Sequence, residues 1–298
     1  MNERDFIAML RPLAGPGALN LNDDAALLSA PVGHDLVLSV DTMVEGVHFP
    51  KGRIGGDFSE RLLRTALSDL AAKGARPIGY MLAVAWPSGR YDKWAAAFIS
   101  GLHDAQRSFD CPLLGGDTTA TKGPLVASAN VYGVVPTGEM VTRSGAKTGD
   151  HVWYTGVLGR AETGLKVVMG DPDVRLLSGE DRLACEEAYL RPEPRFLFRK
   201  TLRQVATACA DISDGLYSEA GHIAEASGVH LAMDYIRHAD FGDDYELLLT
   251  APPSAEAAIR SGADAIGLPV TRCGHVVPGE GISIDGEPVQ GKGYRHTF

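Results

Sequence analysis

Helix-like and strand-like runs follow one another along this 298-residue chain without a regular strand–helix–strand rhythm. A doubly wound parallel sheet needs a crossover helix between successive strands, so the irregular order points to an α+β architecture instead. The spacing predicts an amphipathic helix over 3–13, with Phe6, Ile7, Leu10 and Leu13 on one side. A β-type run over 36–40 ends on Asp41. The clearest helix covers 59–72. Ser59 is its candidate N-cap, Leu62, Leu63, Ala66, Leu67 and Leu70 form its apolar stripe, and Gly74 closes it. Residues 78–86 read as a strand and 91–109 as a helix. A short strand over 111–114 runs into a Gly115-Gly116 turn, and 125–135 is a long strand. The polar, glycine-bearing stretch 137–150 marks a domain boundary, dividing the chain into 1–138 and 139–298. Beyond it come a strand over 152–155, three helical stretches between 159 and 207, and a helix ending near 226. Strands near 229–233 and 245–250 follow, and the last forty residues read as strands and turns.

Charge narrows the function. Asp and Glu number 38 against 28 Lys and Arg, a formal charge of −10. Nucleic acids and anionic membranes are met by basic patches, so neither is an expected partner. A phosphorylated small molecule remains compatible, provided something cationic stands between it and the acidic protein. Cys111, Cys185, Cys209 and Cys273 form no C-x-x-C pair, which argues against thiolate metal sites and dithiol chemistry. The start, Met-Asn-Glu-Arg-Asp, lacks the basic, apolar pattern of a signal peptide, and the apolar run 80–86 is far short of the roughly 20 residues a bilayer span needs. A cytoplasmic location is expected. No G-x-x-x-x-G-K-[ST], H-E-x-x-H or G-x-S-x-G occurs, so any nucleotide is handled without a P-loop.

The placement of aspartates is the most informative feature. Asp23-Asp24 precede an apolar stretch, Asp41 ends a strand, Asp117 follows the Gly-Gly pair, Asp211 and Asp214 flank a tight turn into a helix, and Asp243-Asp244 precede a strand. Carboxylates grouped at element ends, without thiol partners, suit a hard cation such as Mg²⁺. Aspartate at turns and helix starts is equally accounted for by local hydrogen bonding, and Asp214 is a ready cap for the helix after it. Asp69 falls on or beside the buried stripe of its helix, where a carboxylate requires a metal ion or a salt bridge. Taken alone, His48 reads as a structural residue, and Arg143, in the polar boundary, reads either as a guanidinium able to reach a nucleotide phosphate or as a solvated linker residue.

Eight segments, in order, resemble the thiamine-monophosphate kinase family of the aminoimidazole ribonucleotide synthetase superfamily. They are Asp23-Asp24-Ala25-Ala26-Leu27-Leu28, the stretch from Ser39 to Phe49, Leu67-Ser68-Asp69-Leu70-Ala71-Ala72, Gly115-Gly116-Asp117-Thr118-Thr119, Thr142-Arg143-Ser144-Gly145-Ala146, Asp211-Ile212-Ser213-Asp214-Gly215-Leu216, Gly242-Asp243-Asp244-Tyr245-Glu246-Leu247 and Lys292-Gly293-Tyr294. The resemblance implies an N-terminal α/β domain with a dimer-forming sheet and the metal and ATP site, then a C-terminal α+β domain, in a homodimer. It implies ATP-dependent phosphorylation of thiamine monophosphate to thiamine diphosphate. Asp24, Ser39, Asp41, Asp69, Asp117, Asp211 and Asp214 would hold several Mg²⁺ ions. Gly116, Asp117, Arg143 and Ser213 would contact ATP, and His48, Asp243 and Tyr294 the thiamine substrate.

A phosphate acceptor, close to a dianion at neutral pH with a second pKa near 6, needs no general base. Direct in-line transfer without a phosphoenzyme is therefore expected. Three departures from the family pattern stand out: Asn22 where Gly is usual, Val40 where Thr is usual, and a short stretch between Met233 and Gly242. Val40 lacks a metal-ligating hydroxyl, and the short stretch alters the substrate pocket. The alternatives are an aminoimidazole ribonucleotide synthetase-like enzyme and a non-catalytic, divalent-dependent nucleotide-binding protein.

Overall fold

The computed structural model describes residues 3–89 and 91–289, with two compact units. One comprises Met1–Leu70 with Arg76–Gly138, the other Ala71–Ala75 with Glu139–Phe298. Among the described residues no helix is long and apolar enough to cross a membrane.

The first unit contains α1 (Glu3–Leu10), β1 (His34–Val44), most of α2 (Gly56–Ala72), β2 (Arg76–Pro87), α3 (Tyr91–Phe109), β3 (Leu113–Thr121) and β4 (Val126–Pro136). Its sheet has the order β1-β4-β2-β3, antiparallel except for the parallel β2–β3 pair. One sheet face is covered: Trp86 of β2 meets Phe6 and Phe98 edge-on, and Phe98 continues the stack to Phe58 of α2 and on to Phe49. Edge-to-face aromatic packing of this kind adds to the burial of large rings. The other face leaves Leu38 and Val40 61% and 55% exposed.

Several expected boundaries move. Helix α1 stops at Leu10 and Arg11–Leu13 tighten into a 3₁₀ turn, because Pro12 has no N–H to continue the ladder. Strand β1 does not end at Asp41; it pairs with β4 from His34↔Pro136 to Val44↔Val126, which puts Asp41 inside the sheet. Helix α2 begins at Gly56, and Ser59 is no N-cap: its hydroxyl donates to the carbonyls of Gly56 and Phe98. Gly115-Gly116 is not a turn but lies within β3, just past a bulge where Tyr80 faces Leu113 and Met81 faces Gly115.

The second unit contains β5 (His151–Thr155), α4 (Arg160–Met169), α5 (Gly179–Leu190), α6 (Arg199–Val205), β6 (Ala208–Asp211), α7 (Leu216–Ser227), β7 (His230–Met233), β8 (Leu247–Ala251), α8 (Glu256–Asp264), β9 (Val270–Val277), β10 (Gly281–Ile284) and β11 (Glu287–Val289). Its sheet order is β11-β10-β7-β9-β5-β8-β6, with β10–β7 the parallel pair. A core including Val152, Leu248, Ile223 and Leu216 lies on one face, and another including Trp153, Leu249, Phe198 and Ile259 on the other. Burial on both faces is why β8 reads Leu-Leu-Leu-Thr-Ala rather than alternating.

Candidate functional site

In the first unit, α2 carries the most unusual carboxylate. Every residue from Phe58 to Ala72 is buried except Asp69, which is half-exposed. Asp69 Oδ2 accepts a 2.5 Å hydrogen bond from the Ser39 hydroxyl of β1. Strand alternation puts Ser39 and Asp41 on the same sheet face, with Val37 and Met43. Ser39, Asp41 and Asp69 therefore share one side of the sheet.

Asp23, Asp24, Gly116 and Asp117 line a cleft of 170 Å³ within this unit. Three successive left-handed residues, Leu19, Asn20 and Leu21 (φ 50, 59 and 55°), turn the chain into the Asp23-Asp24 segment. Non-glycine residues adopt this conformation rarely and at a cost. Gly116 is required sterically: a Cβ there would lie 1.8 Å from the Leu82 carbonyl oxygen. His48 closes the loop after β1, its Nδ1 accepting from the Val44 N–H at 3.1 Å. An accepting Nδ1 leaves the proton on Nε2 in the neutral ring.

In the second unit, two segments are clasped by backbone hydrogen bonds. The Asp243 N–H donates to Ser213 O at 2.8 Å, Tyr245 N–H to Ile212 O at 2.9 Å, and Ile212 N–H to Glu246 O at 2.7 Å. Asp243 and Tyr245 take φ of 71° and 51° to make this fit. Gly242 has no alternative, since a Cβ would fall 2.2 Å from Ser213 O. Asp211, buried at the end of β6, Ser213 and Asp214 thus share one turn with Asp243 beside it. Asp214 does not cap α7; that position is Gly215, with no side-chain cap. Arg143 pairs through Nη2 with Glu219 Oε2 at 3.2 Å. Tyr294 lies outside the described residues.

Residues 22–135 match the family model for the N-terminal domain of AIR synthase related protein. A thiamine-monophosphate kinase of Caulobacter vibrioides is 41% identical over 94% of this chain and 86% of its own length. This chain belongs to the thiamine-monophosphate kinase family. The fold agrees: the crystal structure of thiamine-monophosphate kinase from Stenotrophomonas maltophilia superposes with a TM-score of 0.80 at 36% identity, covering 90% of this chain and 91% of that one. AaThiL complexed with AMPPCP and TMP gives 0.79 at 27% identity, covering 92% and 91%.

Departures from the thiamine-monophosphate kinase pattern now have local settings. Asn22 has φ −110°, open to any residue, and its Oδ1 accepts from Arg11 Nη2 at 2.8 Å. Val40 sits on the sheet face opposite Ser39 and Asp41, in register with Asn130 and Met81, so its missing hydroxyl is not on their side. The short stretch after β7 has no helix; the Tyr217 hydroxyl organises it, donating to Asp234 O and accepting from Ile236 N–H.

Three further acidic groups stand outside the assigned site residues. Glu246 is buried and takes both Arg195 Nε (2.7 Å) and Arg195 Nη2, together with the Thr155 hydroxyl at 2.7 Å. Glu219 is fully buried under Arg143. Asp244 accepts from the Gly159 N–H at 2.8 Å, at the start of α4. The only early signal was the Gly-Asp-Asp-Tyr-Glu motif, which contains Asp244 and Glu246 but does not name their partners.

Burial pushes the Asp244 pKa up to about 7 against the N–H groups of Gly159 and Ala161, which pull it down. The folded chain therefore holds a proton that the unfolded chain releases at lower pH, and stability from this group falls as pH rises from near 4 through 7. Asp244→Asn should remove that slope. In thermal or urea unfolding the variant is expected to gain about 2 kcal/mol over the parent at pH 8, allowing for partial exposure, and nothing near pH 4. A pH-independent difference between the two proteins would contradict the assignment.

Proposed function

We propose that this chain transfers the γ-phosphoryl group of ATP to thiamine monophosphate, giving thiamine diphosphate and ADP. The observation that carries this reading is the clasp between Ser213 and Asp243. The residue that the resemblance gives to ATP and the one it gives to the thiamine substrate are joined by a single backbone hydrogen bond of 2.8 Å. Donor and acceptor sites held side by side on rigid backbone suit a reaction whose main requirement is alignment.

The acceptor phosphate brings its own nucleophilic oxygen, so the chain needs neither a general base nor a covalent intermediate. Burial pushes the Cys111 and Cys209 thiols up to about 12, which keeps them protonated and supports a route without a thiolate. Transfer is direct and in line.

Asp24, Ser39, Asp41, Asp69 and Asp117 of the first unit, and Asp211 and Asp214 of the second, would hold Mg²⁺. Among the described residues no three acidic, His or Cys side chains gather closely enough to hold a cation alone. Mg²⁺ keeps several waters and takes one or two carboxylates plus substrate phosphates rather than a closed protein cage. The half-exposed Asp69 with its hydroxyl partner, and the exposed Asp24 and Asp117 beside Gly116, are oxygen donors of the right hardness. When bound, the metal supplies neutralisation of phosphate charge, the positive element that a −10 protein lacks.

Gly116, Asp117, Arg143 and Ser213 are assigned to ATP, and His48 and Asp243 to the substrate. We assign residues 1–138 the dimer-forming role and 139–298 the second domain. The uncovered sheet face of the first unit, with Leu36 41%, Leu38 61% and Val40 55% exposed, supports a homodimer. The work is expected to take place in the cytoplasm.

Incubation with ATP, Mg²⁺ and thiamine monophosphate should yield thiamine diphosphate and ADP in equal amounts, with no phosphorylated residue detected by mass spectrometry during turnover. Formation of aminoimidazole ribonucleotide in a parallel assay, with no thiamine diphosphate, would overturn the reading. A trapped phosphoenzyme would overturn the direct mechanism.

A further inference from the structure

Glu219 is an acid where the fold offers it no water. It lies in the first turn of α7 and is 0% exposed, and its Oε1 is buried without a hydrogen-bond partner among the described residues. Among the described residues its side-chain hydrogen bonds pass through Oε2, which meets Arg143 Nη2 at 3.2 Å and His222 Nδ1 at 3.1 Å. A carboxylate kept in such a place is strongly disfavoured unless a cation compensates it. The Arg143 side chain it faces is 46% exposed, so Arg143 is held by Glu219 through Nη2 while much of the side chain remains open to solvent.

The backbone that carries Arg143 is fastened separately. The Ser227 hydroxyl accepts from the N–H groups of Gly145 and Ala146, both at 3.2 Å, and donates to Arg143 O at 3.3 Å. The Cys209 N–H donates to Thr142 O at 2.8 Å. With the main chain tied to α7 and β6, the remaining freedom is the swing of the long side chain. Glu219 removes it. An arginine has five N–H donors, and a pairing through Nη2 leaves others to meet a phosphate.

We propose that Glu219 is a positioning residue for nucleotide binding. It aims the Arg143 guanidinium at the triphosphate of ATP and acts only through Arg143. This rests on the assignment of Arg143 to ATP in the proposed function. Glu219 also lies on the helix that starts at the Ser213-Asp214 turn, so the same rigid element would align two nucleotide contacts.

The test is a double-mutant cycle in the full chain with Mg²⁺ and a non-hydrolysable ATP analogue, read by calorimetry, with turnover constants measured alongside. Arg143→Ala and Glu219→Gln should each weaken analogue binding and raise the KM for ATP about tenfold, the loss expected for one charge-assisted contact. In Glu219→Gln the kcat and the KM for thiamine monophosphate should move less than about twofold. In the Arg143→Ala background, Glu219→Gln should add nothing.

An equal further loss in that background would overturn the positioning role alone. Unchanged nucleotide binding in Arg143→Ala would overturn both the role and the assignment of Arg143. Because the binding readout needs no turnover, a parent chain that binds the analogue but does not phosphorylate thiamine monophosphate counts against the activity and not against this inference. Should Glu219→Gln fail to fold, NMR of the parent decides. Arg143 guanidinium signals, identified by their loss in Arg143→Ala, should show slowed rotation and solvent exchange, and signals as mobile as those of a solvated arginine would overturn the proposal.

Discussion

Glu246→Ala is expected to destabilise the second unit by about 3–5 kcal/mol, the largest single-site loss foreseen for its fold. Glu246 is 4% exposed, and its two oxygens take the fork of Arg195 and the hydroxyl of Thr155. That hydroxyl in turn accepts from the Leu247 N–H at 2.9 Å, so the carboxylate also organises the start of β8. Even the space is reserved, since a Cβ on Gly156 would lie 1.7 Å from Glu246 Oε1. Truncation leaves a largely buried guanidinium without its paired carboxylate, only the more loosely coupled Glu193 remaining, and a hydroxyl with no acceptor. Urea unfolding should show the loss directly, and the melting temperature should drop by about 10 °C. The pair itself need not be stabilising relative to an apolar substitute. Replacing Arg195 and Glu246 together by methionine should therefore recover most of the loss. A single variant within about 1 kcal/mol of the parent would show that water or a rearranged neighbour satisfies Arg195.

Asp117→Asn should have the opposite profile, with little effect on the fold and a severe effect on turnover. Asp117 is exposed, on an edge strand, in register with Ala83 of β2. Its side chain is exposed and anchors no core packing, so the melting temperature should stay within about 2 °C. Asparagine keeps the shape but loses the charge that a hard cation requires. With ATP, thiamine monophosphate and saturating Mg²⁺, kcat is expected to fall about 10²–10³-fold, the scale on which lost charge stabilisation at a transferring phosphoryl group is felt. Unchanged activity under those conditions would remove Asp117 from the metal-holding set.

The two variants separate what was legible in the chain from what was not. Asp117 was visible because glycines and an acid in a short motif form a local pattern. The Glu246–Arg195 pair was not, because its members lie 51 residues apart and neither carries a mark of the other. The same distinction explains the displaced boundaries. The apolar run stops before Asp41, so the strand seemed to stop there. Pairing with β4 carries it on to Val44, and the partner strand is a long-range fact. Gly115-Gly116 has the composition of a turn, yet a close approach to Leu82, not a reversal of the chain, is what calls for Gly116. Ser59 has the chemistry of a cap but spends its hydroxyl on Phe98 O, 39 residues away.

By itself the sequence determined the class of fold, the succession of most helices and strands, and the family. These depend on periodicity and on short motifs, which act between neighbours along the chain. It also raised the expectation of a cation between an acidic protein and its phosphates. Only the tertiary structure decided which carboxylates share an element face or a turn. Ser39 meets Asp69 across a strand and a helix, Asp243 meets Ser213 through a backbone clasp, and Glu219 is buried beneath Arg143. The physical reason is that burial, and the electrostatics that burial creates, depend on what packs around a group, and packing partners are chosen by the fold rather than by adjacency in the chain.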